Sequence, residues 1–327
     1  MSELIALNAR SIRFWNVGGT GINLARSYRA DQPKNSEQLA NEQFAYIDTS
    51  FSNMGGASEE DFFVINEGKG LGKDHVQGNK IFDAELPNIR ARFKPADLNV
   101  VTFGLAGGTG ATGGRKLLAS LLADGHNAIG LVIGSHDSDR ATGNTISAMM
   151  NMERDVKKVN RPIVISYHEN DRTLSLSKNN TAPLFVMRLL SILASGKNKH
   201  LDISDIVNFF NYSTVTHHQP ALAMLDVFAG EEPLMKSAKN LIAIAALLKS
   251  DEDVMPNVQA TYDTVGYLPE EGRVFDNSFY YTISTSGLAP TMKKLGEALE
   301  EYKRRTKGVE VNNLLSAGIA DEGDVTL

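Results

Sequence analysis

Short apolar runs alternate with amphipathic segments through the first half of the chain. Residues 12–17, 44–48, 62–65, 99–105, 128–134 and 162–167 are apolar with little interruption and read as strands. Residues 22–30, 115–123 and 142–159 space their apolar positions as helices do. Strands that are apolar on both faces and separated by helices predict an α/β, doubly wound parallel sheet covered on both sides. Residues 181–195 (T-A-P-L-F-V-M-R-L-L-S-I-L-A-S) are apolar nearly all round, which predicts a buried central helix. Asn179 or Asn180 is its expected cap, with Pro183 tolerated in the first turn. The pattern then changes. A helix is expected at 203–211, with Asp202 or Ser204 near its start, strands at 221–228, 262–268 and 279–284, and a helix at 236–248. Together these predict a smaller mixed α/β second domain. A long helix at 289–307 ends in Lys303, Arg304, Arg305 and Lys307, a favourable sign for the macrodipole. Residues 309–327 carry few apolar anchors but include Asp321, Glu322 and Asp324, and read as an acidic tail. No repeat or low-complexity block interrupts the chain.

Composition narrows the function classes. The chain has 327 residues, 42% of them apolar, enough for two domains. It has no cysteine, which excludes disulfides, thiolate metal sites and cysteine nucleophiles and fits a reducing cytoplasm. No run of about 18 apolar residues and no basic-then-apolar leader is present, so neither a membrane span nor a signal peptide is expected. A net charge of −6 argues against non-specific nucleic-acid binding.

The strongest chemical signal is V-T-F-G-L-A-G-G-T-G-A-T-G-G-R at 100–114. A strand ends in a glycine cluster and a helix follows at once. Gly107, Gly108 and Gly110 let backbone N–H groups approach an anion, Thr109 and Thr112 add hydroxyls, and the helix presents its positive end. A second cluster, Gly18-Gly19-Thr20-Gly21 followed by Ile22-Asn23, sits between another strand and another helix. Alone it fits a dinucleotide fingerprint with Asp48 as the ribose-binding acid, a plain strand-to-helix turn, or phosphate binding in an NTPase. Two such loops on one sheet favour a long phosphate chain. No G-x-x-x-x-G-K-[ST] is present, so the chain is not a Walker-type NTPase.

Further pieces extend this pattern: Gly68-Lys69-Gly70-Leu71-Gly72, Glu169-Asn170-Asp171, Asn179-Asn180 and His200-Leu201-Asp202-Ile203-Ser204-Asp205. Ala106–Thr112 resembles the tubulin signature G-G-G-T-G-S-G, with Ala106, Ala111 and Thr112 replacing its first glycine, serine and last glycine. The other pieces resemble, in order, the FtsZ loop T-R-G-L-G, its P-N-D turn near ribose and base, the asparagine–aspartate pair that opens the central helix and reads guanine, and the N-x-D-x-x-D loop that completes the next subunit's active site. Over essentially the whole chain the resemblance is to phage-encoded tubulins of the PhuZ type. It implies a nucleotide-binding GTPase domain at 1–178, a central helix at 179–196, an activation domain at 197–288, a C-terminal helix at 289–308 and the tail.

The resemblance also implies GTP or GDP with Mg²⁺, bound by Gly18, Gly19, Thr20, Gly21, Asn23, Asp48, Gly70, Gly72, Gly107, Gly108, Thr109, Gly110, Ala111, Thr112, Asn170, Asn179 and Asn180. Asp202 and Asp205 would act on the γ-phosphate of the next subunit in a head-to-tail filament, with the tail on a neighbour. Phage DNA or its compartment would be the cargo, in the host bacterial cytoplasm, with no direct contact to nucleic acid or membrane. Three departures stand out. Asn180 replaces the aspartate that accepts from guanine, so selectivity would pass to Asn170, Asn179 or backbone groups. His200 replaces an asparagine, and S-H-D-S-D-R-A-T-G at 135–143 is not the FtsZ form. Two other classes compete. A nicotinamide oxidoreductase explains Gly18–Gly21 and Asp48 but gives 106–112 and 201–205 no task. A non-hydrolysing structural filament is opposed by the presence of both aspartates. His136-Asp137-Ser138-Asp139 reads as a loop beside the nucleotide rather than a metal site, and His217-His218 as a linker pair. Met149, Met150 and Met152 read as core, and Trp15 as packing.

Overall fold

The computed structural model describes residues 10–31, 39–55, 60–72, 75–237, 239–268 and 275–306, so the expected tail at 309–327 lies outside the described residues. The strands are β1 (Ser11–Val17), β2 (Asn41–Asp48), β3 (Phe62–Val64), β4 (Leu98–Gly104), β5 (Ala128–Ser135), β6 (Ile163–Asn170), β7 (Leu222–Ala229), β8 (Leu241–Leu248), β9 (Ala260–Tyr267) and β10 (Phe279–Ser284). They form one ten-stranded sheet in the order β3-β2-β1-β4-β5-β6-β7-β10-β8-β9. Strands β3 to β7 in that order are parallel; β10 pairs antiparallel with β7 and β8, and β9 returns parallel to β8. The doubly wound half and the mixed half therefore share one continuous sheet.

Helices cover both faces. They are α1 (Gly18–Ala30), α2 (His75–Arg92), α3 (Arg115–Ala123), α4 (Asp139–Val159), α5 (Leu176–Ala194), α6 (Ile203–Phe210), α7 (Glu231–Ser237) and α8 (Leu288–Thr306). On one face α1 and the central helix α5 bury Leu24, Tyr28, Met187, Leu190 and Leu193 against β1, β4 and the strands of the second half. On the other face α2, α3 and α4 pack Phe82, Leu117, Leu121, Met149 and Met152 against Trp15, Val101 and Phe103. Trp15 is fully buried, and its Nε1 donates to Asn99 Oδ1 at 3.0 Å, as expected of a packing residue. Met150 is 46% exposed and leaves the expected core trio, because it sits on the outer side of α4.

Two sequence expectations are corrected, and one helix is added. The central helix starts at Leu176, with the Ser175 hydroxyl accepting from the Lys178 amide, so Asn179 and Asn180 lie within the helix and Pro183 is internal. The expected helix at 236–248 is instead α7 followed by β8. All of β8, L-I-A-I-A-A-L-L, is buried, and an apolar run buried on both faces carries no periodicity to separate strand from helix. Helix α2 was not foreseen. Pro87 lies inside it and broke the helical pattern.

Candidate nucleotide site

Strands β1 and β4 are sheet neighbours, and the order reverses between them. Val17 pairs with Phe103, so both glycine turns leave the sheet side by side, at the switch point where α/β sheets take ligands. Gly18 has φ +73°, and a Cβ there would lie 2.9 Å from the Gly110 amide nitrogen. A Cβ on Gly110 would lie 2.6 Å from the Gly104 carbonyl oxygen, and one on Gly21 2.2 Å from that of Thr102. These glycines are packing necessities that bring two backbones together. Gly107 is different: a Cβ there would meet nothing within 4 Å.

A cavity of about 270 Å³ opens over the turns. Gly18, Gly19 and Thr20 line one wall, Gly107, Gly108, Thr109 and Gly110 another, and Asp48 with Gly70 and Gly72 the third. Helical backbone begins at Gly108, passes through a π turn at Gly110–Gly114 and continues as α3, so first-turn amides and the positive helix end face this space. The loop after β3 turns sharply, with Glu67, Gly68, Gly70 and Gly72 all at positive φ. Open space surrounds the positions where Gly70 and Gly72 would carry a Cβ. The Thr49 and Thr109 hydroxyls stand 2.7 Å apart and tie the β2 turn to the β4 turn. Ala111 and Thr112 do not reach the cavity; both are buried, and the Thr112 hydroxyl donates to the Gly108 carbonyl at 2.7 Å. Gly21 likewise lies behind the wall.

Asp48 ends β2 within this cavity and is only 2% exposed. Its carboxylate accepts from the Thr49 amide at 2.7 Å and from Asn53 Nδ2 at 2.6 Å. Burial pushes the carboxyl above its ordinary range, and these hydrogen bonds oppose the shift.

A second cavity of about 370 Å³ adjoins the first and shares Thr20, Gly104 and Gly107 with it. Leu24, Ile133 and Leu176 give it apolar walls, while Asn23, Glu169, Asn170, Asn179 and Asn180 give it a polar rim. Asn179 spends its amide locally: Oδ1 accepts from the Asp171 N–H at 2.9 Å and Nδ2 donates to the Asp171 carbonyl at 2.8 Å. Asn180 Nδ2 donates to the Ser27 hydroxyl at 3.2 Å, which leaves its Oδ1 as the atom to offer a ligand. Glu169 is gripped by Lys294 of α8 through Oε2 and faces His136 Nδ1 at 2.5 Å through Oε1. Arg172 Nε meets Asp137 Oδ2 at 3.1 Å. Thr49, Ser50, Asn53 and Arg172 were not singled out from the sequence, and Glu169 was named only within the Glu169-Asn170-Asp171 turn, with no role of its own. They sit on two turns, one after β2 and one at the end of β6, that only the folded sheet brings together.

Asp202 and Asp205 lie elsewhere, after the far end of α5. They form a reciprocal capping box on α6: Asp202 Oδ1 accepts from the Asp205 amide and Asp205 Oδ2 from the Asp202 amide, both at 3.0 Å. The Asp205 amide is also the main reason that the Asp202 carboxyl falls below its ordinary range. Asp202 is exposed and Asp205 half-buried. His200 has φ +73°, a conformation in which asparagine and histidine are both enriched, so this departure keeps the backbone path of the loop. The His136–Asp139 segment adjoins the second cavity through Ser138, which also caps α4 by accepting from the Ala141 amide. Among the described residues, no group of three or more His, Asp or Glu is placed to hold a metal ion. No described helix is long and apolar enough to cross a membrane.

No protein-family model matches the chain. It is 28% identical over 311 residues to a phage tubulin-like protein of Pseudomonas phage phiKZ, covering 89% of this chain and 90% of that one. Its fold matches a protofilament of TubZ from bacteriophage PhiKZ with a TM-score of 0.84 at 24% identity, covering 92% of this chain and 94% of that one. It also matches the phage tubulin PhuZ bound to GDP with a TM-score of 0.82 at 19% identity, covering 93% and 95%. With glycine turns paired at a sheet switch point and relatives aligned along nearly their whole length, the chain is similar to phage tubulin-like proteins and has their tubulin-like fold.

Proposed function

We propose that the chain binds GTP with Mg²⁺, polymerises head to tail, and hydrolyses GTP only where two subunits meet. The observation that carries this reading is the placement of two half-sites at opposite ends of α5. Asn179 and Asn180 border the second cavity near its start, whereas Asp202 and Asp205 follow its end. Its 19 residues span about 28 Å at 1.5 Å per residue, so one chain does not bring its own aspartates to its own cavity.

The groups present fit a nucleotide. Gly18–Thr20 and Gly107–Gly110 would cradle the phosphates with backbone amides, and Gly70 and Gly72 would close over the terminal one. The ribose and base would lie in the second cavity between Leu24, Ile133 and Leu176. Asp48 would hold Mg²⁺, which typically takes one or two carboxylates plus substrate phosphates, and the ion would neutralise charge at the transferring phosphoryl group. Positioning and charge neutralisation carry most of phosphoryl transfer, and no side chain of the cavity stands as a base. Asp202 and Asp205 of a neighbouring copy would orient the attacking water and accept its proton. A heterologous contact of this kind repeats without closing and extends into a filament.

Residues 309–327 would contribute to the same polymer by docking on a neighbour, with Asp321, Glu322 and Asp324 meeting basic groups there. Residues 1–178 would act as the nucleotide-binding domain and 197–288 as the activating one, on either side of α5. Positioning phage DNA or its compartment in the host cytoplasm is the role we assign to the filament. Relatives matched here include a protofilament, a filament and a GDP-bound phage tubulin, which supports self-assembly and guanine nucleotide.

A mixing experiment tests the in-trans arrangement. Asp205→Ala should abolish turnover while leaving nucleotide affinity of the monomer within about twofold, and a variant crippled at Gly107 should lack turnover through lost binding. Mixed together, the two should regain part of the activity, because each supplies the half the other lacks. If Asp205→Ala weakens monomeric nucleotide binding tenfold, about 1.4 kcal/mol, the placement in trans is wrong.

A further inference from the structure

We infer that Arg10 is a positioning residue for the cross-subunit aspartates, holding the loop at 196–202 so that Asp202 and Asp205 are aimed before a neighbour's nucleotide arrives. This rests on the in-trans reading above and adds to it a residue outside both half-sites. Arg10 precedes β1 and lies 191 residues from Leu201 in the chain, yet its Nη2 donates to the Leu201 carbonyl at 3.4 Å. Its stem crosses Gly196 at the other end of the loop. A Cβ on Gly196 would fall 2.9 Å from Arg10 Nε and 3.1 Å from its Cγ and Cδ. Gly196 has φ +67°, so the residue that frees the backbone also leaves room for the arginine. One side chain therefore spans both ends of the loop.

The path from Arg10 to the carboxylates runs through one peptide bond. In a planar trans peptide the C=O and the following N–H point in opposite directions. Fixing the Leu201 carbonyl on Arg10 thus aims the Asp202 N–H, which donates to Asp205 Oδ2 at 3.0 Å. The Asp205 N–H closes the capping box on Asp202 Oδ1. Other contacts hold the loop further back. Lys199 exchanges two backbone hydrogen bonds with Tyr267 of β9, at 3.0 and 2.9 Å, and the Leu201 amide donates to Asn198 Oδ1 at 3.2 Å. Neither contact touches the Leu201–Asp202 peptide. The Asp205 and Ser204 amides draw the Asp202 carboxyl below its ordinary range, and the positive charge of Arg10 adds to them. Arg10 Nη1 is buried and meets no hydrogen-bond partner among the described residues. A buried donor without an acceptor costs stability, so packing alone does not account for an arginine here.

Pairwise mixtures of three full-length variants test this: Arg10→Met, Asp205→Ala and Gly107→Ala, at a GTP concentration that loads every chain except Gly107→Ala. Alone, Arg10→Met should bind GDP as a monomer within about twofold of the unmodified chain. Its turnover per assembled subunit should fall by about 10- to 100-fold, since a small misplacement of a reacting group costs up to about 100-fold. Mixed with Gly107→Ala it should regain part of that turnover, because Gly107→Ala supplies an intact loop. Mixed with Asp205→Ala it should gain nothing beyond the sum of the two alone, because both lack the same half. Arg10→Lys keeps a charged donor of similar reach and should retain more turnover than Arg10→Met. If Arg10→Met melts below the assay temperature, Arg10→Gln takes its place in the mixtures, with a polar stem but no charge.

Recovery with Asp205→Ala instead of with Gly107→Ala would place Arg10 at the nucleotide cavity of its own chain and overturn the assignment. Recovery with neither, as expected of a residue that only supports the fold, overturns it too. So does unchanged turnover in Arg10→Met. The mixture of Asp205→Ala with Gly107→Ala is the reference: if it regains no turnover, the in-trans reading itself fails, and the role of Arg10 with it.

Discussion

Gly107→Ala separates binding from folding within a single glycine run. A methyl group at residue 107 would meet nothing within 4 Å, and its φ is not positive, so the folded chain accepts alanine without strain. The unfolded chain loses freedom, which stabilises the protein by about 0.4–1 kcal/mol. For a chain of this length that raises Tm by about 1–3 °C, given about 2–4 °C per kcal/mol in somewhat smaller domains. Gly107 lines both cavities, so the same methyl points into the space the phosphates would fill. Losing one amide contact to a charged group costs about 1.5–3 kcal/mol, or about 10- to 150-fold in affinity. Thermal unfolding with and without GDP reads both effects. At GDP about 1,000 times the unmodified Kd, binding contributes about 4.1 kcal/mol of stability; a 100-fold weaker variant keeps only about 1.4 kcal/mol. Gly110→Ala is the control with the opposite sign, because its Cβ would fall 2.6 Å from the Gly104 carbonyl oxygen and 3.0 Å from its nitrogen. A Gly107→Ala chain that binds GDP as tightly as the unmodified one, or is destabilised without ligand as Gly110→Ala is, refutes the reasoning.

Asp202 caps α6 and, under the proposed function, would also act in trans, and a single substitution divides the two. Asp202→Ser keeps an oxygen to accept from the Asp205 amide, so α6 and the unfolding temperature should hold while turnover is lost; turnover at the unmodified rate would reduce Asp202 to a cap. For pH, burial pushes the His168 ring down to about 4 from 6.5. The unfolded chain therefore takes this proton first, and the contribution to stability is whole above about pH 6.5 and is lost as pH falls toward about 4. In urea unfolding at pH 7 and pH 5, His168→Gln should lose less stability than the unmodified chain over that interval, and equal losses would show that the ring is not desolvated.

How far the chain could be read in advance depended on which forces were local. Strands β1, β4, β5, β6 and β10 lie within a few residues of where apolar runs bounded by glycine and polar turns put them, because each is buried on both faces. The glycine turns were legible for a similar reason: close backbone approach at Gly18, Gly21 and Gly110 tolerates no side chain, and that restriction is written in the residue itself. Strand β8 was misread since its apolar run has no period, and α2 was missed because Pro87 masked a helix that tertiary packing of Phe82 and Ile89 sustains. The cap of α5 moved to Ser175 since the asparagines compete with a serine four and five residues upstream for the same role, and only folding decides between them. Asn53 lines the site from the turn after β2 and Glu169 and Arg172 from the turn at the end of β6, and pairings such as Lys294 with Glu169 span far too much chain for spacing to reveal.

The rigidity of α5 is what gives the two half-sites their meaning. Its second half is buried through Val186, Met187, Leu189, Leu190 and Leu193 against strands of both halves of the sheet. The Tyr281 hydroxyl donates to the Leu189 carbonyl at 2.7 Å from one side, and the Ala40 amide reaches Ser191 Oγ at 3.3 Å from the other. A helix anchored to both halves cannot shorten the distance between its ends, and the Gly196 and His200 turns, both at positive φ, carry the chain from its C-terminus into the capping box. The capping box sets Asp202 and Asp205 in one orientation within the single chain, so little conformational freedom would remain to be lost on the proposed contact. A bare loop bearing the same carboxylates would have to be ordered at each subunit addition. Under the proposed function, preorganised acids at one end and a preformed amide cradle at the other would let a single encounter complete the site, which is the economy that a filament built from one kind of chain would require.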